Sequence, residues 1–208
     1  EYLDILYASL RQSIAAHKLV EDGEGNLLFL SKECCSNGCI ATVDVSYPSM
    51  PLYLLYNTEL IKGMMRPVLK FAKLPVWKYD FAPHDAGAYP ACCGQVYGLK
   101  KERTRSRVDL DKDGRMQTHF PLYLLPASFD AYDVDLQMPV EECGNMLIML
   151  EAGRAFGADP ALAKQYRSLL DTWVQYLVKY GEDPDEQLCT DDFAGHLAHN
   201  VNLAAKAI

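Results

Sequence analysis

Between residues 160 and 180 apolar side chains recur every three to four positions, and no other feature limits the fold of this chain so tightly. Leu162, Tyr166, Leu169, Leu170, Trp173, Val174, Leu177 and Val178 form one stripe, while Lys164, Gln165, Arg167, Ser168, Asp171 and Lys179 fill the opposite face. That period is a helix with one face to bury. Pro160 suits its start and Gly181 its end. A second helix is expected over 139–156, opened by Pro139, with Glu141 and Glu142 in the turn where the helix dipole favours acids.

Weaker versions of the pattern recur. Leu3, Leu6, Leu10, Ile14 and His17 predict a helix over 2–21. Two helices are expected within 44–74, where Pro67 should kink the second. A last one is expected from about 192 to 208. A turn at 22–26 leads to a short strand at 27–30, and 32–42 and 76–98 read as loops. Residues 99–136 have hairpin and loop character, with Arg103, Arg105 and Arg107 alternating as a strand would. About six helices joined by short links predict helical hairpins in a mainly α domain.

Half of the 208 residues are hydrophobic, enough for a sizeable core. A net charge of −8 argues against nucleic acid or an anionic membrane as partner. The basic cluster at Lys100, Lys101, Arg103, Arg105 and Arg107 runs into Asp109, Asp111 and Asp113, and reads as a solvated, charge-paired hairpin. No stretch approaches the ~20 apolar residues of a membrane span. The chain opens on Glu1-Tyr2-Leu3-Asp4, without Met or a signal peptide and already inside a helical pattern, as an excised domain would. Seven cysteines without a zinc-type spacing read as buried thiols, with a bridge between the loops at 34–39 and 92–93 open to an exported protein.

Four segments place acids and aromatics in loops or at helix starts. They are 42–48 with Asp44 and Tyr47, 83–90 with His84, Asp85 and Tyr89, 138–146 with Glu141 and Glu142, and 189–196 with Asp191 and Asp192. Free helix-start N–H groups and nearby carboxylates suit acid–base chemistry around a pocket. Adjacent helical residues point ~100° apart, so only one of Glu141 and Glu142 can face such a pocket fully. Each acid also has a plain structural role open to it: helix dipole for Glu141 and Glu142, N-cap for Asp44 and Asp191, turn for Asp85. Asp109-x-Asp111-x-Asp113-Gly114 matches the first half of a calcium loop, but Phe120 stands where the bidentate Glu belongs, so calcium competes with a simple charged turn. Cys143 has no sequence-adjacent His to make it a nucleophile.

In this order the four segments resemble the glutaminase A family. The motifs are Met138-Pro139-Val140-Glu141-Glu142-Cys143-Gly144-Asn145-Met146, Pro83-His84-Asp85-Ala86-Gly87-Ala88-Tyr89-Pro90, the run Thr190–Asn200, and Tyr47-Pro48-Ser49-Met50-Pro51-Leu52-Tyr53. The resemblance covers about 1–98 and 133–208. It implies part of an α/α toroid of six helical hairpins, like that of many glycosidases, with 99–136 as an insertion. It further implies a secreted or cell-envelope parent with further domains, and hydrolysis of glutamine to glutamate and ammonia. On that expectation Asp85, Glu141 and Asp191 are the catalytic candidates. Asp44, Tyr47, His84, Tyr89, Glu142 and Asp192 are the substrate-binding candidates, and Arg154 or His84 would hold the substrate carboxylate. No cofactor is expected beyond calcium at Asp109, Asp111 and Asp113. The toroid is shared across chemistries, so two other readings stand. One is a glycoside hydrolase with Tyr47, Trp77, Tyr79 and Tyr89 as stacking surfaces. The other is a non-catalytic helical fragment.

Overall fold

The computed structural model describes residues 1–33, 37–100 and 121–208, together with the backbone of two short strands within 101–120. Seven helices dominate these residues: α1 Tyr2–Ala15, α2 Val43–Tyr56, α3 Thr58–Ala72, α4 Pro139–Ala155, α5 Ala161–Gln165, α6 Arg167–Tyr180 and α7 Val201–Ala207. The strands form three two-stranded antiparallel pairs. These are β1 His17–Glu21 with β2 Leu27–Ser31, β3 Cys39–Ile40 with β4 Gly87–Ala88, and β5 Asp109–Leu110 with β6 Met116–Gln117. The protein is thus mainly helical, and β5 and β6 supply a small hairpin inside the expected insertion.

The helix expected over 2–21 stops at Ala15, and no residue of α1 is buried. What overrides the periodicity is the turn at Asp22, whose Oδ1 accepts the N–H groups of Glu24 and Asn26 at 2.9 Å each. That turn folds Glu21 onto Leu27 and His17 onto Ser31, so 17–21 becomes a strand. The buried His17 ring stacks on Phe29 with centroids 4.5 Å apart.

α2 and α3 meet at Asn57, whose side chain accepts the Glu59 N–H, and pack against each other as a pair. α3 runs unbroken through Pro67 and buries Ile61, Met64, Met65, Val68 and Leu69 against β2 and α4. The helix expected over 160–180 divides at Tyr166 into α5 and α6. The one expected from 192 to 208 is shorter still. Gly195 at φ 82° and His199 at φ 55° leave the right-handed helical region. Only a 3₁₀ turn, Asp192–Ala194, precedes α7. Asn200 then caps α7, its Oδ1 accepting from Asn202 at 2.9 Å and Leu203 at 3.3 Å.

α4 lies at the centre, touching α2, α3, α6 and α7. Its Val140, Cys143, Met146 and Met149 join Trp173 of α6 and Leu203 of α7 in the core. Because the core closes around α4, its first turn is buried, and Glu141 and Glu142 go inside with it.

Candidate functional site

Three chain segments deliver polar groups to one buried place beside the start of α4. The first is α2, whose Val43 N–H donates to the His84 carbonyl at 2.8 Å and so fixes Asp44 beside that loop. The second is the 84–97 loop itself. The fully buried Asp85 carboxylate organises it: Oδ1 accepts N–H groups of Gly87 and Val96 at 2.9 Å each, and Oδ2 accepts that of Tyr97 at 3.1 Å. The same Oδ2 lies 3.0 Å from His84 Nδ1. The His84 ring stacks on Tyr97 at 4.1 Å, which leaves Nε2 facing Asp44 Oδ1 at 3.9 Å. The third is α4, whose Glu142 completes the group. One ligand-type atom each from Asp44, His84 and Glu142 lie within 4.8 Å of one another.

The two neighbouring glutamates have different surroundings. Glu141 Oε1 is paired with the Lys206 ammonium of α7 and accepts from Asn145 Nδ2 at 3.2 Å, and Oε2 is 3.5 Å from the Thr190 N–H. Lys206 also lies 4.8 Å above the Tyr47 ring. Glu142 Oε2 is 3.4 Å from Asn145 Nδ2, while its Oε1 is buried with no hydrogen-bond partner. Asp44 Oδ1 is likewise buried and unpartnered.

These surroundings move proton affinities. Burial pushes Glu142 well above the usual carboxylate range, and the charges of Asp44 and Glu141 add to it against Asn145 and Lys206. Burial also raises Asp44, with His84 opposing and Glu141 and Asp192 reinforcing. For His84, burial disfavours the cation, but the hydrogen bond to Asp85 and the charges of Asp44, Asp85 and Glu33 outweigh it and raise its pKa. Two acids with raised pKa values in one cluster mark a candidate functional site on physical grounds.

Of the residues expected to carry catalysis, Asp85 and Glu141 are buried here with their carboxylates engaged by backbone N–H groups and by Lys206 respectively. Asp191 is exposed at the start of the 3₁₀ turn, without a side-chain cap bond. Its neighbour Asp192 accepts from the Tyr97 hydroxyl at 2.8 Å, at the rim of the cluster. Among the expected substrate-binding residues, Asp44, His84 and Glu142 converge, Tyr47 lies under Lys206, and the Tyr89 ring lies 4.7 Å below the Lys32 ammonium. Arg154 is twelve residues beyond Glu142 on the same helix, about 18 Å away at 1.5 Å per residue, and pairs with exposed Glu151. It cannot serve this cluster. Trp77 is no stacking platform either: it is buried among Phe71, Tyr79, Phe81 and Tyr132, and its Nε1 donates to the Phe81 carbonyl. Tyr79 stacks on Phe81 and donates to the Tyr132 carbonyl. Asp111 and Asp113 lie outside the described residues, as does the Asp109 side chain, and so does the calcium expectation with them.

Of the described thiols, Cys39 has its sulfur within 4.8 Å of ligand atoms of His84 and Asp85, and burial raises its pKa well above the usual thiol value. Cys143 is fully buried, accepts the Ala82 N–H at 3.3 Å, and burial raises its pKa. Cys39, Cys92 and Cys93 are free thiols, in keeping with the thiol reading and without the bridge that export would allow.

Lys206, Asn145 and Tyr97 were missed in the sequence. Asn145 had a signal, since it stands four residues after Glu141 on one helix face. Lys206 had none, because it reaches Glu141 across 65 residues of chain.

The described residues form a packed helical domain that draws carboxyl groups and an imidazole from separate segments into one buried cluster. The chain belongs to the glutaminase A six helical-hairpin domain family, whose description matches residues 1–208. It is 33% identical over 209 residues to "Glutaminase A" of Aspergillus oryzae, covering all of this chain and 25% of that protein. It is 29% identical over 266 residues to a "Probable glutaminase" of Arthroderma benhamiae, covering all of this chain and 27% of that one. The chain therefore spans about a quarter of the length of these curated relatives. No solved structure matches it at a significant level.

Proposed function

We propose that this chain carries the acidic side of the active site of a glutaminase-type hydrolase, converting L-glutamine and water to L-glutamate and ammonia. The relatives' names support the substrate. The observation that carries the chemistry is the pair of buried, unpartnered oxygens on Asp44 and Glu142, brought together from α2 and α4. A carboxylate in base form takes a proton from water as the water oxygen adds to the side-chain amide carbon. The C–N bond then breaks, and a carboxyl in acid form hands its proton to the departing nitrogen. Two acids in one cluster with raised pKa values suit that division of labour. His84 is held by Asp85 and Tyr97 to shape the site. On this reading the parent chain is exported, and its remaining length supplies further domains and the helical pairs that complete an α/α toroid around the cluster.

The test is ammonia release from glutamine by the full-length parent protein, run beside release of reducing sugar from oligosaccharides. Asp44→Asn and Glu142→Gln are expected to lower kcat by about a hundred- to ten-thousand-fold with the fold intact by circular dichroism. Sugar release without ammonia would make the protein a glycoside hydrolase instead. Full ammonia release in both variants would remove the cluster from the chemistry.

A further inference from the structure

The unpartnered oxygens of Asp44 and Glu142 set a physical problem that a bound cation would solve. Glu142 is fully buried, its Oε1 has no donor, and Asp44 Oδ1 faces the same space with no donor either. Burying ionised oxygens unpaired costs several kcal/mol per ion by the usual order of magnitude. The nearby ammonium of Lys206 is already committed to Glu141 and to the Tyr47 ring. The 3.9 Å between His84 Nε2 and Asp44 Oδ1 is too long for a hydrogen bond. It is a separation that an atom lying about 2 Å from each would bridge.

The imidazole is prepared for that role from behind. Its Nδ1 faces the Asp85 carboxylate at 3.0 Å, and three backbone N–H groups hold that carboxylate in place. A carboxylate on one ring nitrogen fixes the tautomer and aims the other nitrogen as a ligand, an arrangement typical of histidines that bind metal. Stacking on Tyr97 fixes the ring plane. The outer donors are then one imidazole nitrogen and two carboxylate oxygens, all within 4.8 Å of one another. Mixed nitrogen and oxygen donors of this kind suit a divalent first-row metal, zinc foremost. Three protein ligands would leave a further coordination position for water or substrate.

We propose that Asp44, His84 and Glu142 form a divalent-cation site of the zinc class, with Asp85 as the group that holds His84 in ligating orientation. The proposal rests on the cluster described above, and for its catalytic meaning it rests on the hydrolase reading of that cluster. The ion keeps the hydrolase reading but changes the carboxyls' part in it: water bound to the ion would be the nucleophile, and Asp44 and Glu142 would be ionised ligands in place of the base and acid of the metal-free scheme.

The experiment uses the full-length parent protein, stripped with a chelator and titrated calorimetrically with zinc, with magnesium as the control. One zinc per chain is expected, with a rise in Tm on loading. Asp44→Asn, Glu142→Gln and His84→Gln should each abolish this binding, and Asp85→Asn should weaken it by about ten- to a hundred-fold. If His84→Gln or Asp85→Asn does not fold, the near-isosteric Asp44→Asn, Glu142→Gln double variant carries the test, and if either carboxyl variant does not fold, metal-to-ligand distances from X-ray absorption on the zinc-loaded parent protein do. Zinc bound equally well by that double variant, or not bound by the parent protein at all, overturns the site. Ammonia release measured on the same samples separates the two claims. Zinc binding at the cluster without ammonia release sinks the glutamine reading and leaves the ion site standing. Ammonia release undiminished after chelation, with no zinc bound, sinks the ion and leaves the hydrolase.

Discussion

His17 shows how one residue couples the small hairpin to pH. Its Nδ1 lies 2.7 Å from the Ser13 carbonyl and 3.2 Å from the Tyr53 hydroxyl, and its ring is covered by Phe29. Burial lowers its pKa from 6.5, and the Ser13 carbonyl offsets only part of that. The folded protein therefore takes up a proton less readily than the unfolded chain. The neutral ring's contribution is complete above the unfolded value, and it is lost as pH falls from 6.5 through the folded value. Urea midpoints should drop between about pH 7.5 and about pH 5.5, and His17→Gln should flatten part of that slope. An unchanged slope in the variant would show that His17 is not the titrating group.

At the scale of elements, α7 depends on two glycines that leave room for it. A Cβ on Gly144 of α4 would stand 2.9 Å from the Lys206 Cβ and 3.0 Å from its carbonyl oxygen, and one on Gly181 would meet Ala207 at 2.3 Å. Gly144→Ala adds helix propensity worth up to about 1 kcal/mol. Against that stands overpacking against a backbone, typically about 1–3 kcal/mol. The expected net result is destabilisation, with the amides of α7 losing hydrogen-exchange protection first as Lys206 is pushed off Glu141. A higher Tm would mean that α7 gives way freely and propensity wins. α7 also marks where the sequence stops being readable. Pro139 and the glutamates behind it announced α4 to within a residue, because those signals are local. The stripe at 160–180 was equally plain, apart from its break at Tyr166. The same periodicity misled at 17–21, where the Asp22 turn and strand pairing overrode it, and at 192–200, where left-handed residues interrupt the chain. Asp44, His84 and Glu142 were visible as polar residues in helix starts and a loop. That backbone amides hold Asp85 and Lys206 pairs with Glu141 was not visible, since those partners come together only in three dimensions.

For the molecule as a whole, an acidic chain of net charge −8 places the carboxyls of Asp85, Glu141 and Glu142 fully inside, with Asp44 nearly so. Asp85 is stabilised by backbone N–H groups and Glu141 by an ammonium. Glu142 has only a 3.4 Å contact to Asn145 on one oxygen, beside the charges of Asp44 and Glu141. Adjacent residues of one helix turn should therefore respond with opposite signs when neutralised. Glu141→Gln strips Lys206 of its partner in a nearly buried setting and should lower stability by about 3–5 kcal/mol. Glu142→Gln keeps shape and the contact to Asn145 while removing a carboxyl that ionises more readily in the unfolded chain than in the fold, and above the unfolded carboxylate pKa it should raise stability in metal-free buffer by about 1–2 kcal/mol. At this chain length that is a rise in Tm of roughly 2–8 °C. The gain would come with loss of ammonia release, since a site built to hold charge keeps the fold below its stability optimum. A fall in Tm for both variants would mean that Glu142 is anchored as firmly as Glu141. The core would then hold a satisfied acid network, with no vacancy of charge for a substrate or an ion to fill.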